Sequence, residues 1–225
     1  TVELEDPRDN ELMVKITSCG ICHTDIAMRD QLFPVPQPVV LGHEGAGIIE
    51  KVGKNVDGLS PGDPVIVTYS ACGRCPACHA GEPGLCHDIY QYNFTGTRTD
   101  GSTALKKGEE VIHSHFFGQS SFATHIITRP GNILKLDSTK DMDFFGPLGC
   151  GIQTGAGAVI NVCRPRPGDS LAAFGIGAVA LSAIMAAHVC GLTTIIAVGR
   201  NEKKLELARE MGATHTINST KVADV

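Results

Sequence analysis

The chain has 225 residues, 42% of them apolar and 19% charged, with a formal net charge of −5 at pH 7, so it can bury a core as one large domain or two smaller ones. Its basic residues are scattered, which argues against a nucleic-acid or anionic-membrane surface. The N-terminus lacks the apolar segment of a signal peptide and glycines interrupt the most apolar run, residues 170–189, so no membrane span is expected and the cytoplasm is the predicted location.

The first part of the chain is patterned as β structure. Residues 11–19 alternate in a period of two, which predicts a half-buried strand with Leu12, Val14 and Ile16 set against Met13, Lys15 and Thr17. Short apolar runs bounded by turn residues predict further strands at 48–52, 62–68, 122–128 and 133–136. Glycines on both sides of His43 allow the backbone to approach closely there. We therefore predict a β-rich domain over residues 1–152.

The pattern changes after Cys150. Residues 152–162 are small and apolar at helical spacing, and the prolines that follow end the predicted helix. Beyond them, predicted strands at 170–174, 194–198 and 214–217 alternate with predicted helices at 179–190 and 201–211. Such alternation indicates a parallel sheet, and together with a glycine pattern at residues 175–180 it predicts that residues 153–225 are part of a dinucleotide-binding domain. The chain lacks an initial Met and stops within this alternation, and we expect it to be a fragment.

Four cysteines lie within fifteen residues, at Cys72, Cys75, Cys78 and Cys86. Four thiolates close a tetrahedral Zn²⁺ site and leave no open position, which predicts a structural zinc. The intervening glycines and prolines favour an irregular wrap over helix or strand. An iron–sulfur cluster or disulfides are the alternatives, but the spacing differs from the compact ferredoxin run, and an intracellular location suits metal ligands better than disulfides.

A glycine pattern, Gly175-x-Gly177-x-x-Ala180, lies between a predicted strand and a predicted helix. The glycines allow a tight turn and the approach of a pyrophosphate to the helix N-terminus. The alternative is a plain glycine turn of an α/β domain. About twenty residues further, where an acidic residue would bind the ribose of NAD, the chain has Gly199 and Arg200. This favours NADP, unless Arg200 only points to water.

A second metal site could be assembled from Cys22, His43 and Cys150, each in a glycine-rich loop at a strand end or domain seam. Three protein ligands would leave one coordination position open for substrate. Spacing alone does not establish this set. An ordinary buried cysteine or a hydrogen-bonded histidine is the alternative at each position.

Taken together, the motifs resemble those of the zinc-dependent medium-chain alcohol dehydrogenases. Five of them occur in that family's order and approximate spacing: residues 20–25 (Gly-Ile-Cys-His-Thr-Asp), residues 42–44 (Gly-His-Glu), the cysteine cluster, residues 149–151 followed by Thr154, and the glycine turn. The match covers nearly the whole chain. Residues 116–122 (Phe-Phe-Gly-Gln-Ser-Ser-Phe) additionally look like the aryl- or benzyl-alcohol dehydrogenase branch.

The resemblance implies two zinc ions per chain. Cys22, His43 and Cys150 would hold the catalytic zinc, and the four clustered cysteines would hold the structural one. Asp25 would orient His43 through its second ring nitrogen, and Glu44 would sit behind the metal as a neighbour able to exchange into its coordination.

The resemblance also implies roles around the cofactor. His23 would contact the pyrophosphate and Thr154 would approach the nicotinamide. Thr24 would take the alcohol proton and relay it through the cofactor ribose. Many relatives continue this relay with a histidine where this chain has Ala27, so water is the expected continuation here.

The implied fold is a GroES-like catalytic domain followed by an incomplete Rossmann domain, with substrate at the seam between them. The implied activity is hydride transfer between a primary alcohol, aryl or allylic, or its aldehyde and NAD(P), with NADP favoured. A zinc polyol or secondary-alcohol dehydrogenase is the alternative enzyme, and a non-catalytic zinc-stabilised nucleotide-binding protein is the alternative of another class. A homo-oligomer is expected at full length, whereas the isolated 225-residue chain is expected to have weak or no activity.

Overall fold

The computed structural model describes residues 1–223 and divides the chain into two compact units, Thr1–Cys150 and Gly151–Val225. The division falls between residues 150 and 151, whereas the sequence pattern predicted the domain boundary between residues 152 and 153. Within the described residues, no helix combines the length and the apolar composition that crossing a bilayer requires.

The first unit is β-rich, as predicted. Its strands are β1 (Glu3–Leu4), β2 (Leu12–Cys19), β3 (Gly45–Val52), β4 (Pro64–Val67), β5 (Leu105–Lys107), β6 (Glu110–Ile112), β7 (His125–Thr128) and β8 (Ile133–Lys135). Its α-helices are α1 (His23–Arg29), α2 (Pro76–His79) and α3 (Ile89–Asn93). An antiparallel sheet has the order β7-β2-β3-β4-β8, and a second has the order β1-β5-β6. The second sheet and the helices α1 to α3 were not predicted from the sequence.

The main core of this unit lies on one face of the five-stranded sheet. It is formed by Leu12, Val14, Ile49, Val65, Val67 and Ile126. Leu12 and Val14 follow the alternation predicted for β2. Met13, on the opposite face, is nevertheless only 7% exposed because Ala104 and Ile127 pack against it. The strand is therefore covered on both faces at its start, which a half-buried pattern does not predict.

The second unit contains a parallel sheet, which confirms the predicted strand and helix alternation. Its strands are β9 (Ser170–Phe174), β10 (Thr194–Gly199) and β11 (His215–Asn218), in the order β11-β10-β9, and its helices are α4 (Gly151–Gly157), α5 (Ala178–Val189) and α6 (Glu202–Glu210). A π-helical turn, Ala158–Cys163, continues α4. Ile184 of α5, Ile195 of β10 and Leu205 of α6 meet in the core, which packs the helices onto the sheet.

Candidate functional site

Strand pairing brings Cys22 and His43 together. In the antiparallel β2–β3 pair, Cys19 at the end of β2 lies opposite Gly45 at the start of β3. Cys22 follows β2 within a few residues and is the N-cap of α1, while only Glu44 separates His43 from the start of β3. Both side chains therefore come from the same edge of the five-stranded sheet.

Cys150 reaches this edge through a close packing of its neighbour Gly149 on β4. A Cβ atom on Gly149 would lie 2.4 Å from the carbonyl oxygen of Val67, so a larger residue could not occupy this position without moving the backbone. Thr68 Oγ1 also donates a hydrogen bond to the Gly149 carbonyl oxygen at 2.8 Å. β4 pairs with β3 through Ala46 and Ile66, so Cys150 lies beside the two loops that carry Cys22 and His43.

The result is a cluster of potential metal ligands. One ligand atom from each of Cys22, His43, Glu44 and Cys150 lies within 4.8 Å of the others. The ring of His43 is 1% exposed, and among the described residues its Nε2 atom has no hydrogen-bond partner. A buried ring nitrogen without a partner beside two sulfur atoms is costly in a metal-free protein, whereas these donors suit a tetrahedral Zn²⁺ ion. The residues present therefore fit the zinc that the sequence predicted.

Asp25 connects both predicted ligand loops. Its Oδ1 atom lies 3.0 Å from Nδ1 of His43 and accepts a hydrogen bond from the backbone N–H of Gly42 at 2.9 Å. Its Oδ2 atom accepts from the backbone N–H of Cys22 at 3.2 Å, as part of the capping box of α1. Asp25 thus holds the ring of His43 with Nδ1 engaged and Nε2 left for the cluster, the arrangement usual for metal-binding histidines.

The ionisable groups of the cluster shift one another's pKa values. The Cys150 thiol and the His43 ring hold the pKa of Cys22 at about 3. Burial alone would lower the pKa of His43, but its contacts with Asp25 and the Cys22 sulfur raise it to about 9. The Cys22 sulfur and burial raise the pKa of Cys150 far above its usual range. A divalent cation would replace these protons, because metal ligands bind in their deprotonated forms.

The second cysteine cluster forms in the first unit around α2. One sulfur from each of Cys72, Cys75, Cys78 and Cys86 lies within 4.8 Å of the others. Backbone N–H groups point at these sulfurs: Cys75 N donates to Cys72 Sγ, and Cys72 N donates to Cys86 Sγ, both at 3.3 Å. All nine cysteines lie in the described part of the chain, and all are free, so disulfides do not account for the cluster. The segment is otherwise irregular, as predicted, but it contains the short α2, which begins at Pro76, and a 3-10 turn at Pro83–Leu85.

The glycine turn and Arg200 line one cavity in the second unit. Gly177 is the N-cap of α5, with Ala180 in the first turn of that helix. The cavity has a volume of about 600 Å³ and opens at the ends of β9 and β10; it is lined by Phe174, Gly175, Ile176, Gly177, Val198, Gly199, Arg200, Asn201, Lys204 and Ser219. Lys204 and Ser219 were not singled out from the sequence, because only the folded chain brings the start of α6 and the end of β11 to this position.

Of the remaining predicted site residues, two lie at the start of α1 and one lies in α4. His23 is the first residue of α1 and is exposed, and Thr24 follows it with its hydroxyl oxygen 3.6 Å from the Cys22 sulfur. Thr154 lies in α4 of the second unit and is exposed. The roles of His23, Thr24 and Thr154 towards the cofactor and the substrate stay predictions.

Sequence reasoning missed the segment that surrounds His43 on its far side. The ring of Phe117 stacks on the His43 ring with centroids 4.5 Å apart, and the ring of Phe116 meets it edge-on at 5.7 Å. The buried Gln119 donates from its side-chain amide to the His43 carbonyl oxygen at 3.0 Å. The sequence signal was present in residues 116–122, but it indicated only a branch of a family and no contact.

Comparison with family models gives two matches. Residues 8–138 match the alcohol dehydrogenase GroES-like domain, and residues 178–225 match the zinc-binding dehydrogenase model. The matched regions correspond to the β-rich unit and to the unit with the parallel sheet.

The similar proteins and solved structures include several named as alcohol dehydrogenases. The chain is 44% identical over 218 residues to a geraniol dehydrogenase from Castellaniella defragrans, covering 96% of this chain and 58% of that protein. It is similar to the crystal structure of benzyl alcohol dehydrogenase from Acinetobacter calcoaceticus, with a TM-score of 0.93 and 47% identity over 99% of this chain and 60% of that one. An alcohol dehydrogenase zinc-binding domain protein from Burkholderia ambifaria gives a TM-score of 0.95 and 50% identity, with the same coverage. The chain thus spans about three fifths of the length of these relatives.

Proposed function

The chain belongs to the zinc-dependent medium-chain alcohol dehydrogenases, and from this premise we propose that the whole protein transfers a hydride between a primary alcohol, aryl or allylic, or its aldehyde and NADP. Its fold is the family's GroES-like domain followed by part of a Rossmann domain, and membership implies zinc and NAD(P) as cofactors. The observation that carries the proposal is the buried Nε2 atom of His43, which lacks a hydrogen-bond partner in the described chain and lies beside Cys22 and Cys150.

In the proposed mechanism, Cys22, His43 and Cys150 would hold the catalytic zinc. When bound, this ion supplies a Lewis acid that favours the alkoxide form of an alcohol near neutral pH. Asp25 fixes the ring of His43 through Nδ1, so that Nε2 is directed to the metal position. The Thr24 hydroxyl, close to the Cys22 sulfur, would take the proton of the alcohol. Ala27 offers no group for a further step, so water completes the transfer to solvent.

The cofactor preference rests on the cavity at the glycine turn. Gly175 and Gly177 let a pyrophosphate approach the N-terminus of α5, where the helix dipole favours negative charge. Arg200 and Lys204 line the same cavity, and none of the described residues that line it is acidic. Two cations without a carboxylate suit the 2′-phosphate of NADP better than the free ribose hydroxyls of NAD.

The substrate class is supported by the names of the relatives. Geraniol is an allylic primary alcohol and benzyl alcohol is an aryl primary alcohol, so both name the substrate class predicted for this chain. The alternatives are a zinc polyol or secondary-alcohol dehydrogenase and a non-catalytic zinc-stabilised nucleotide-binding protein. The four-cysteine cluster would hold the structural zinc in each case.

The proposal is tested on the full-length protein by metal analysis followed by steady-state kinetics. We expect two zinc ions per chain, turnover of benzyl alcohol or geraniol, and a higher kcat/KM with NADP than with NAD. One zinc per chain with no turnover supports the non-catalytic alternative. Two zinc ions with turnover of sorbitol and none of benzyl alcohol or geraniol contradicts the substrate proposal and favours a polyol dehydrogenase.

Three further expectations remain proposals for the whole protein: a cytoplasmic location, a homo-oligomeric state and weak or no activity of the isolated 225-residue chain. Size-exclusion chromatography with light scattering measures the second. Assay of the isolated chain beside the full-length protein measures the third, and comparable kcat values would contradict it.

A further inference from the structure

The side-chain amide of Gln119 is buried between backbone groups of two segments near the candidate metal site. The residue is 1% exposed. Its Nε2 atom donates to the carbonyl oxygen of His43 at 3.0 Å and lies 3.3 Å from that of Thr68. Its Oε1 atom accepts from the backbone N–H of Gly45 at 3.2 Å and from the hydroxyl of Ser121 at 2.5 Å. If the amide were reversed, its NH2 group would face the N–H of Gly45 and its oxygen would face the carbonyl oxygen of His43. The hydrogen-bond partners therefore determine the orientation of the amide.

These contacts join the segments that present two of the predicted metal ligands. The hydrogen bonds to His43 and Gly45 hold the backbone on both sides of Glu44, at the start of β3. Thr68, the second carbonyl partner, uses its own hydroxyl to bind the Gly149 carbonyl oxygen, directly before Cys150 in the chain. Gln119 therefore contacts the His43 segment directly and the Cys150 segment through one intervening residue.

The backbone that carries Gln119 is unusual. His115, Phe117 and Ser120 all have positive φ angles, of 67°, 52° and 57°, a conformation that residues other than glycine rarely adopt. Such strain persists only where the surroundings over-determine it, and it concentrates at functional sites. In this segment the strained turn places the Phe117 ring against the ring of His43 and the Gln119 amide against its backbone.

We propose that Gln119 is a positioning residue for the catalytic metal: its amide holds the backbone of His43 against β4 so that the imidazole meets the sulfurs of Cys22 and Cys150. This inference rests on the proposed function of the site. It assigns a role to the glutamine of residues 116–122 that does not require contact with substrate or cofactor. Replacing the amide by an apolar group of similar length would remove the buried hydrogen bonds that Gln119 makes with the carbonyl oxygen of His43 and the N–H of Gly45.

The test uses the full-length protein loaded with Co²⁺, whose visible absorption reports coordination geometry. Added imidazole shifts only the catalytic-site component, because four thiolates leave no open position at the structural site. The variant is Gln119→Met, and the matched control is Gln91→Met, which makes the same change at an exposed position of α3. We expect Q119M to keep the imidazole-insensitive component, to shift the imidazole-sensitive one and to bind catalytic Co²⁺ about 10 to 100-fold more weakly.

The outcomes separate this inference from the proposed function. A wild-type protein without any imidazole-sensitive component refutes the catalytic metal site itself. A wild-type protein with that component, together with a Q119M spectrum and Co²⁺ affinity like those of Q91M, overturns the positioning role. Loss of both cobalt components in a folded Q119M protein also overturns it, because the effect is then not specific to one site. If Q119M does not fold, Ser121→Ala is the deciding variant, because it removes only the hydroxyl that donates to Oε1 of Gln119. Weaker Co²⁺ binding confined to the catalytic site supports the positioning role, and Co²⁺ binding like that of the wild type overturns it.

Discussion

Arg98 and Glu11 form a buried, two-pronged ion pair in the first unit: Nε of the guanidinium lies 2.7 Å from Oε1 of the carboxylate, and Nη2 lies 3.1 Å from Oε2. The side chains are 6% and 10% exposed. Glu5 and the Thr103 carbonyl oxygen accept the remaining contacts of the guanidinium. Burial raises the pKa of Glu11, but the hydrogen bonds from Arg98 and from the backbone N–H of Arg8, with the charge of Arg98, together lower it. The N-terminal segment is thereby tied to the loop before β5.

Arg98→Met is expected to lower the free energy of unfolding by about 3 to 5 kcal/mol, because it leaves the Glu11 carboxylate buried without its cation. The matched control is Arg8→Met. Arg8 pairs with Asp100 at the surface, with both side chains about half exposed, and such pairs contribute about 0 to 1 kcal/mol. Urea denaturation followed by circular dichroism measures both. Equal losses in the two variants would show that burial of the pair is not decisive.

His115 is expected to make stability depend on pH. Burial, followed by the charge of Arg98, lowers its pKa from 6.5 to about 4. Between these values the unfolded chain binds more protons than the folded one, so the free energy of unfolding falls as the pH falls from about 6.5 to about 4, by an amount on the order of 3 kcal/mol. His115→Asn, which tolerates the positive φ angle, removes this contribution. Denaturation curves at several pH values give the free energy of unfolding of the variant and of the wild type, and the contributions of other groups cancel in their difference. A difference that stays constant with pH would contradict the prediction.

Asp25→Asn is expected to weaken zinc binding at the catalytic site, or activity, by about 10 to 100-fold. Both carboxylate oxygens of Asp25 are used: they accept from the backbone N–H groups of Gly42 and Cys22, and one also faces Nδ1 of His43. An asparagine has only one side-chain oxygen and cannot accept at both positions. The control is Asp30→Asn at the exposed end of α1. Zinc retention in the presence of a chelator and kcat/KM are the measurements. Retention of zinc by D25N at the level of D30N would refute the role given to Asp25.

Cys78→Ser is expected to remove about one zinc ion per chain and to lower thermal stability, because a structural zinc site contributes directly to folding. The sulfur of Cys78 lies 3.9 Å from that of Cys72 within the four-cysteine cluster. Cys163→Ser is the control, since Cys163 is exposed and belongs to neither cluster. Metal analysis and thermal unfolding measure the two effects. Unchanged zinc content in C78S would show that the cluster does not hold zinc.

Arg200→Gln is expected to weaken NADP binding about tenfold or more while leaving NAD binding nearly unchanged, because a charged hydrogen bond to a phosphate contributes about 1.5 to 3 kcal/mol. Arg166→Gln, which removes an exposed arginine in the turn before β9, is the control. Titration of the full-length protein with each cofactor gives both dissociation constants. Equal effects on NAD and NADP would refute the assignment of Arg200 to the 2′-phosphate.

Local patterns predicted most of the fold. The strands β2, β3, β4, β7 and β8 lie within or overlap the predicted ranges, and the helices and strands of the second unit follow the predicted order. The three-residue strands β5 and β6 and the two-residue β1 were missed, because so few residues show no periodicity. Helix α1 was also missed, although its capping box can be seen once Asp25 is known to bind the N–H of Cys22.

The sequence by itself predicted the four-cysteine cluster and the nucleotide turn, because cysteine spacing and glycine position act over short stretches of chain. It offered Cys22, His43 and Cys150 as a set only through the resemblance to a family, since their spacing alone does not establish it. Only the tertiary structure decided that Cys22, His43 and Cys150 meet, since this depends on the register of β2 with β3 and on the contact of Gly149 with Val67. It also decided that Asp25 and Gln119 hold His43 from two sides. Hydrogen bonds between residues so far apart in the chain form only when the sheet has assembled, and no local pattern encodes them.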